Sequence, residues 1–311
     1  MKLQTPHDRF FKETIGRVEV ATDFLNNYLP ASIMNIVDMT TLEPQKDSFI
    51  DKDLKEIFAD MLFKVNIDNE EGYIYFLFEH KSYTSKNISL QLLKYMIEIW
   101  ESKITTDELP VIIPLVIYHG KDNWNISATL GEMIKGYTNL PKDVQKYIPD
   151  YEYLLYDISR YRDEQIKGEI KLRIMLTVFR DIFTKDDIGL QETVLRATEY
   201  LAELEDKQTG IEYFETMMRY IFSARSNLNK DIADEMMSKI ETTYPEGSEV
   251  VMTLAERFRE EGIVKGLEKV VRKSIIKGLT TEDIIEITGL KKEAIEEIRK
   301  KMLHESKEDV I

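Results

Sequence analysis

The sequence contains no cysteine. That excludes disulfides and thiolate metal sites, and it suits a reducing compartment, so a cytoplasmic protein is expected. Only 8 prolines and 13 glycines punctuate 311 residues, so regular secondary structure is expected over most of the chain. No stretch approaches the ~18–20 uncharged apolar residues that span a bilayer. The N-terminus lacks the apolar segment of a secretory signal, and no membrane partner is expected. The 4 histidines show no HExxH-like spacing, so a zinc centre is not expected either.

Positive charge is also scarce. The 42 Lys/Arg against 57 Asp/Glu leave a formal charge of −15, which argues against a protein that coats nucleic acid with a broad positive field. It does not exclude a local cluster of carboxylates around a divalent cation, since the ion offsets that charge where it sits. The imbalance is uneven: Thr253 to Leu303 carries 12 Lys/Arg and 10 Asp/Glu, whereas the remainder carries 30 and 47.

What is present is a patterned, 43% hydrophobic chain, long enough for one large domain or two to three smaller ones. Phe10, Phe11, Ile15, Val18, Phe24 and Leu25 recur at near-helical spacing, which predicts a helix over 7–29, closed by Pro30. A short strand is expected over 37–42, then a polar, turn-like Lys46–Lys55. Two strand-like runs follow, 56–67 and 73–81, separated by the hairpin loop Asp68-Asn69-Glu70-Glu71-Gly72. An amphipathic helix is expected over 88–103, and Pro110–Gly120 is a strand buried on both faces. This order predicts an α/β or α+β mixed sheet with at least one crossover helix. The pattern then turns wholly helical to Thr243, and Tyr244-Pro245-Glu246-Gly247-Ser248 marks a boundary. A long charged helix to about Ile276 precedes two short ones, 281–288 and 291–303, with Thr281 as cap, Gly289 as turn and Leu290 packing back. That grammar fits either a DNA reader using Lys291 and Lys292 or a small self-association module; the acids on the second helix favour the module.

Chemistry concentrates in the hairpin. Asp60 interrupts the apolar run Phe58-Ala59-Asp60-Met61-Leu62-Phe63, and an ionised carboxylate there needs a partner, a metal or exposure. Glu79 and Lys81 are two apart, so on a strand they share a face. With the turn centred near Glu70, Asp60 falls roughly opposite Glu79. Two carboxylates and a backbone carbonyl, for which His80 is the natural candidate, suit Mg²⁺. A lysine beside them suits activation of water, and together the parts suit phosphodiester hydrolysis. A Glu79–Lys81 salt bridge with Asp60 at a sheet edge satisfies the same pattern.

The flanking residues separate these alternatives. In order come Pro6-His7-Asp8-Arg9-Phe10-Phe11-Lys12, the Asp60 run, Phe76-Leu77-Phe78-Glu79-His80-Lys81-Ser82, Leu90-Gln91-Leu92-Leu93-Lys94-Tyr95-Met96 and Pro114-Leu115-Val116-Ile117-Tyr118-His119-Gly120. Over roughly residues 5–240 this resembles the Rpn family of recombination-promoting nucleases, also called YhgA-like putative transposases, within the PD-(D/E)XK superfamily. The resemblance implies an α/β nuclease core over 1–160, a helical extension over 161–245 and a C-terminal helical module over 246–311. It implies a Mg²⁺-dependent DNA endonuclease, with Mn²⁺ as a substitute, that promotes recombination. Asp60 and Glu79 then match the metal-binding carboxylates, Lys81 the catalytic lysine and Gln91 a polar residue facing the site. Ala59 stands where the superfamily has proline, a position that is not a ligand. His7 or Asp8 is expected at the rim of the site, unless Asp8 is the helix N-cap. Tyr95 is expected either in the core or on a DNA phosphate, and His119 either in a turn or at the site edge. DNA and a second copy of the chain are the expected partners. The rival readings are a catalytically silent interaction protein assembling through its helical C-terminal half, and an integrase-like strand-transfer enzyme.

Overall fold

The computed structural model describes residues 5–45, 59–79, 87–103, 108–225 and 228–308. The chain opens with α1 (Pro6–Ile15). Thr5 and Asp8 form a reciprocal capping box at its start, and Pro6 occupies the first turn, where a missing N–H costs nothing. The helix does not continue to residue 29. Arg17 takes extended backbone angles, φ −81° and ψ 121°, and a second helix, α2 (Val18–Tyr28), starts from it. Hydrophobic periodicity runs on across Gly16 and Arg17, so it cannot reveal the break.

Five strands follow among the described residues: β1 (Val37–Pro44), β2 (Ala59–Ile67), β3 (Glu70–Glu79), β4 (Val111–Tyr118) and β5 (Leu154–Asp157). They form one mixed sheet in sequence order. The β1–β2 and β2–β3 pairs are antiparallel, and the β3–β4 and β4–β5 pairs are parallel. Helix α3 (Ile88–Lys103) is the crossover between β3 and β4, as a parallel pair requires.

Alternation sorts the strand side chains onto two faces. Leu62, Tyr73, Tyr75, Leu77 and Val116 pack with Ile88, Leu92, Tyr95 and Ile99 of α3. On the other face Phe78 stacks on Phe11 of α1, with ring centroids 4.3 Å apart, and Phe76 meets Phe24 of α2. Leu115, Val116, Ile117 and Tyr118 of β4 are all buried, the property of a strand covered on both faces.

The helices α4 (Ile170–Thr184), α5 (Asp187–Ala202), α6 (Lys207–Ala224) and α7 (Lys230–Thr243) belong with the sheet to a single compact unit, Met1–Ser248. Phe179 of α4 joins the α1 face of the sheet, 4.9 Å from Phe78. The second unit, Glu249–Ile311, holds most of α8 (Pro245–Ile276), then α9 (Thr281–Thr288) and α10 (Lys292–Glu308). Its core joins Val271, Ile284 and Ile295. Thr280, one residue before the expected cap, closes the capping box of α9 with Asp283, and Gly289 ends it at φ 68°. No helix among the described residues is long and apolar enough to cross a membrane.

Candidate functional site

The β2–β3 hairpin turns on only two residues, Asp68 and Asn69, at φ 52° and 65°. Two successive positive φ values are those of a type I′ turn, which Asn and Asp tolerate and which matches the twist of the flanking strands. The five-residue loop expected from the sequence is thus shorter, and Glu70 and Glu71 already pair across from Ile67 and Asn66. The register moves by two residues as a result: Asp60 lies opposite Leu77, not Glu79. A shift of two leaves the parity unchanged. The position of Asp60 therefore belongs to the same face as Leu77 and Glu79, one diagonal step from Glu79, a separation of ~7–8 Å that long side chains span.

Glu79 ends β3 and is 1% exposed. Here the parallel strands stop together, so Glu79, Tyr118 and Asp157 form one row across β3, β4 and β5. The Tyr118 hydroxyl donates to the Asp122 carbonyl at 2.8 Å. Burial, then the charges of Asp157, Asp122 and Glu79, pushes its pKa up to about 12, so the phenol stays protonated at working pH. Asp157 accepts from Ser159 Oγ at 2.5 Å and pairs with Arg160 at 3.4 Å. Sequence reading missed this row. Tyr118 was absorbed into an apolar run, and β5 is four residues, too short for periodicity to show.

Helix α3 covers this face. Its first turn follows β3 in the chain, which brings Ser89 and Gln91 toward the Glu79 end of the sheet. Gln91 Nε2 is buried and has no hydrogen-bond partner among the described residues, and Ser89 Oγ is in the same condition. Burying an amide donor is costly unless some group bonds it. Tyr95, one turn on, is 1% exposed with its ring 5.2 Å from Tyr75. It is a core residue, and it offers no surface to a phosphate.

His7 and Asp8 sit on α1, across the sheet from this face. Asp8 is the third helical residue of the capping box, not the N-cap: its carboxylate accepts from the Thr5 N–H at 3.2 Å. His7 Nδ1 lies 2.8 Å from the Tyr220 hydroxyl, and its ring lies 5.1 Å from Phe183 and 5.0 Å from the His119 ring. His119 is buried against Phe78 and Phe179, and its backbone N–H donates to the Glu79 carbonyl at 3.1 Å. His7 is thus linked to the edge of the site through His119. His80 and Lys81 lie outside the described residues, and of Asp60 only the backbone is described. Among the described residues no three His, Asp or Glu side chains converge as a metal centre.

Residues 5–212 match the family model described as "Putative transposase, YhgA-like". The recombination-promoting nuclease RpnA of Escherichia coli (strain K12) is 28% identical over 94% of this chain and 96% of its own. The recombination-promoting nuclease RpnC of the same organism is 25% identical over 92% of this chain and 94% of its own. The "inactive recombination-promoting nuclease-like protein RpnE", also from that strain, is 26% identical over 88% of each chain. No solved structure matches the chain.

Proposed function

Because the chain belongs to the YhgA-like putative transposase family, we propose that it is a metal-dependent DNA endonuclease of the PD-(D/E)XK type whose cuts promote recombination. Three of the relatives it matches carry "inactive" in their names, so the reading rests on this chain's own residues. The observation that carries it is the shared sheet face of the Asp60 position and Glu79, at the end of β3 and beneath α3. Ends of parallel strands are where α/β sheets bind ligands.

The donors fit a hard cation. They are carboxylate and carbonyl oxygens, without imidazole or thiolate, and Glu79 is a carboxylate buried at a strand end, where an ion stabilises its charge. Asp60, Glu79 and the His80 carbonyl would hold Mg²⁺, or Mn²⁺ in its place. The bound cation supplies neutralisation of charge at the scissile phosphate. Lys81 orients the attacking water and stabilises the charge that develops on the phosphoryl oxygens. Gln91 donates its Nε2–H, which has no partner among the described residues, either to Lys81's water or to the phosphate. Tyr118, protonated and fixed by Asp122, holds the floor beside Glu79.

Supercoiled plasmid incubated with and without Mg²⁺ tests the proposal. Wild type is expected to nick or linearise it only with the ion. Asp60→Ala and Glu79→Gln are expected to lose cutting while keeping the wild-type melting temperature. Undiminished cutting by Asp60→Ala would remove the site assignment.

A further inference from the structure

A chain of charge −15 that cuts DNA must hold the phosphate backbone at a few local points, since its overall field repels it. Helices α1 and α6 enclose a cleft of about 180 Å³ lined by Thr5, Arg9, Glu13, Thr216, Arg219 and Ser223. Tyr220 forms part of its wall. The wall leads to the candidate active site: the Tyr220 hydroxyl meets His7, the His7 ring packs on His119, and the His119 N–H is bonded to Glu79. The cleft thus lies on the α1 side of the sheet, linked through His7 and the buried His119 to the backbone of Glu79.

The arginines are arranged for an anion. Arg9 Nε donates to Glu13 Oε1 at 2.7 Å. That single bond fixes the guanidinium plane and leaves both terminal nitrogens of Arg9 without a partner among the described residues. The Arg9 side chain is 54% exposed, so this fork faces solvent. Arg219 approaches the other oxygen of Glu13 at 3.9 Å and also pairs with Glu215. The two guanidinium groups are balanced by Glu13 and Glu215, so an anion is held here by the geometry of the Arg9 fork and not by net charge. The hydroxyls of Thr216 and Ser223 add neutral donors. A fixed guanidinium fork with free terminal N–H groups matches two phosphate oxygens in a way a flexible ammonium does not.

We propose that this cleft is a DNA phosphate site, in which Arg9 grips one phosphodiester of the bound duplex away from the scissile bond and Arg219, through Glu13, holds Arg9 in position. The inference rests on the reading of the chain as a DNA nuclease.

The test is anisotropy of a short fluorescein-labelled DNA duplex, titrated with Asp60→Ala protein over a range of salt, so that binding is read without cutting. Arg9→Ala in that background is expected to weaken binding about tenfold and to lower the slope of log affinity against log salt by about 0.9, one phosphate contact. Arg9→Lys is expected to keep the slope and lose part of the affinity. The melting temperature of each variant checks folding, which an exposed arginine should not disturb. Unchanged affinity and slope in a folded Arg9→Ala protein would overturn the cleft and leave the nuclease reading standing. Absence of any duplex binding by either wild type or Asp60→Ala would overturn both.

Discussion

Asp60 lies opposite Leu77, and Glu79 follows one pleat further along the same face of the sheet. That relationship depends on the two-residue turn at Asp68 and Asn69, both at positive φ. Asn69→Gly should stabilise the protein, by up to about 1 kcal/mol, because glycine adopts this conformation freely. Asn69→Val should cost about 1–2 kcal/mol, the penalty for a left-handed conformation with a bulky Cβ. Urea unfolding measures both. Cutting per folded molecule should be equal in the two variants, since neither moves the strands.

Gln91 and Tyr95 are one turn apart on α3, yet they should respond differently. Gln91→Ala removes a buried amide that has no partner among the described residues. It should therefore lower the cutting rate, by about 10²-fold if the amide meets the transition state, without lowering the melting temperature. Tyr95→Ala empties a core position against Tyr75 and should cost about 3–5 kcal/mol. Tyr95→Phe should cut like wild type; a large rise in KM for that variant would return Tyr95 to the substrate.

Much of this site was legible in the sequence because it is local. Alternation in the two strand runs located the hairpin, and Asp60 stood out as a charge inside an apolar run. The register did not come out right, because Glu70 and Glu71 look like loop. They are strand residues at a solvent-facing end, where Glu71 pairs with Lys64 at 2.5 Å and accepts from Tyr73. The helix break at Gly16 and Arg17 was hidden by an unbroken apolar stripe. What sequence could not supply at all was tertiary: His7 beside His119, Tyr118 between Glu79 and Asp157, and the Arg9–Arg219 cleft each join distant segments.

Gly120 lies two residues past the end of β4, and a Cβ there would collide with the ring and hydroxyl of Tyr118. Gly120→Ala must therefore push Tyr118 out of the row beside Glu79. An overpacked buried site of this kind costs about 1–3 kcal/mol, and cutting should fall as well. Tyr118→Phe removes only the bond to the Asp122 carbonyl, so its loss of stability should be smaller, about 1 kcal/mol. Thermal melts of the two variants, compared with their plasmid-cutting rates, check the order.

Arg180 holds a buried polar network under the helical layer. Its Nε and Nη2 donate to both oxygens of the adjacent Asp181, at 2.7 and 3.2 Å, and Asp181 also accepts from Thr193 at 2.6 Å. Arg180 Nη1 reaches the Tyr161 carbonyl at 3.1 Å and Asp163 at 2.6 Å. Both Arg180 and Asp181 are buried, so Asp181→Ala leaves a desolvated guanidinium half-paired and should cost about 3–5 kcal/mol. Arg180→Ala should cost a similar amount, and the double variant should cost less than the two together, because one loss removes the reason for the other. Asp163 adds a pH dependence. The hydrogen bond from Arg180, followed by the charges of Arg180, Arg196 and Lys185, outweighs desolvation and holds its carboxyl below the ordinary value of 3.8. A carboxyl lowered in the folded state stabilises above its unfolded pKa, and that contribution is lost as pH falls through the folded value. The stability difference between wild type and Asp163→Asn should therefore be present at neutral pH and constant down to about 5. It should shrink only as pH drops to and below 3.8. Asp163 is largely exposed, so added salt should reduce the same difference. Urea midpoints for the two proteins across that pH range, at low and high salt, decide it; a difference that grows toward acid pH would show that Arg180 does not hold Asp163 ionised.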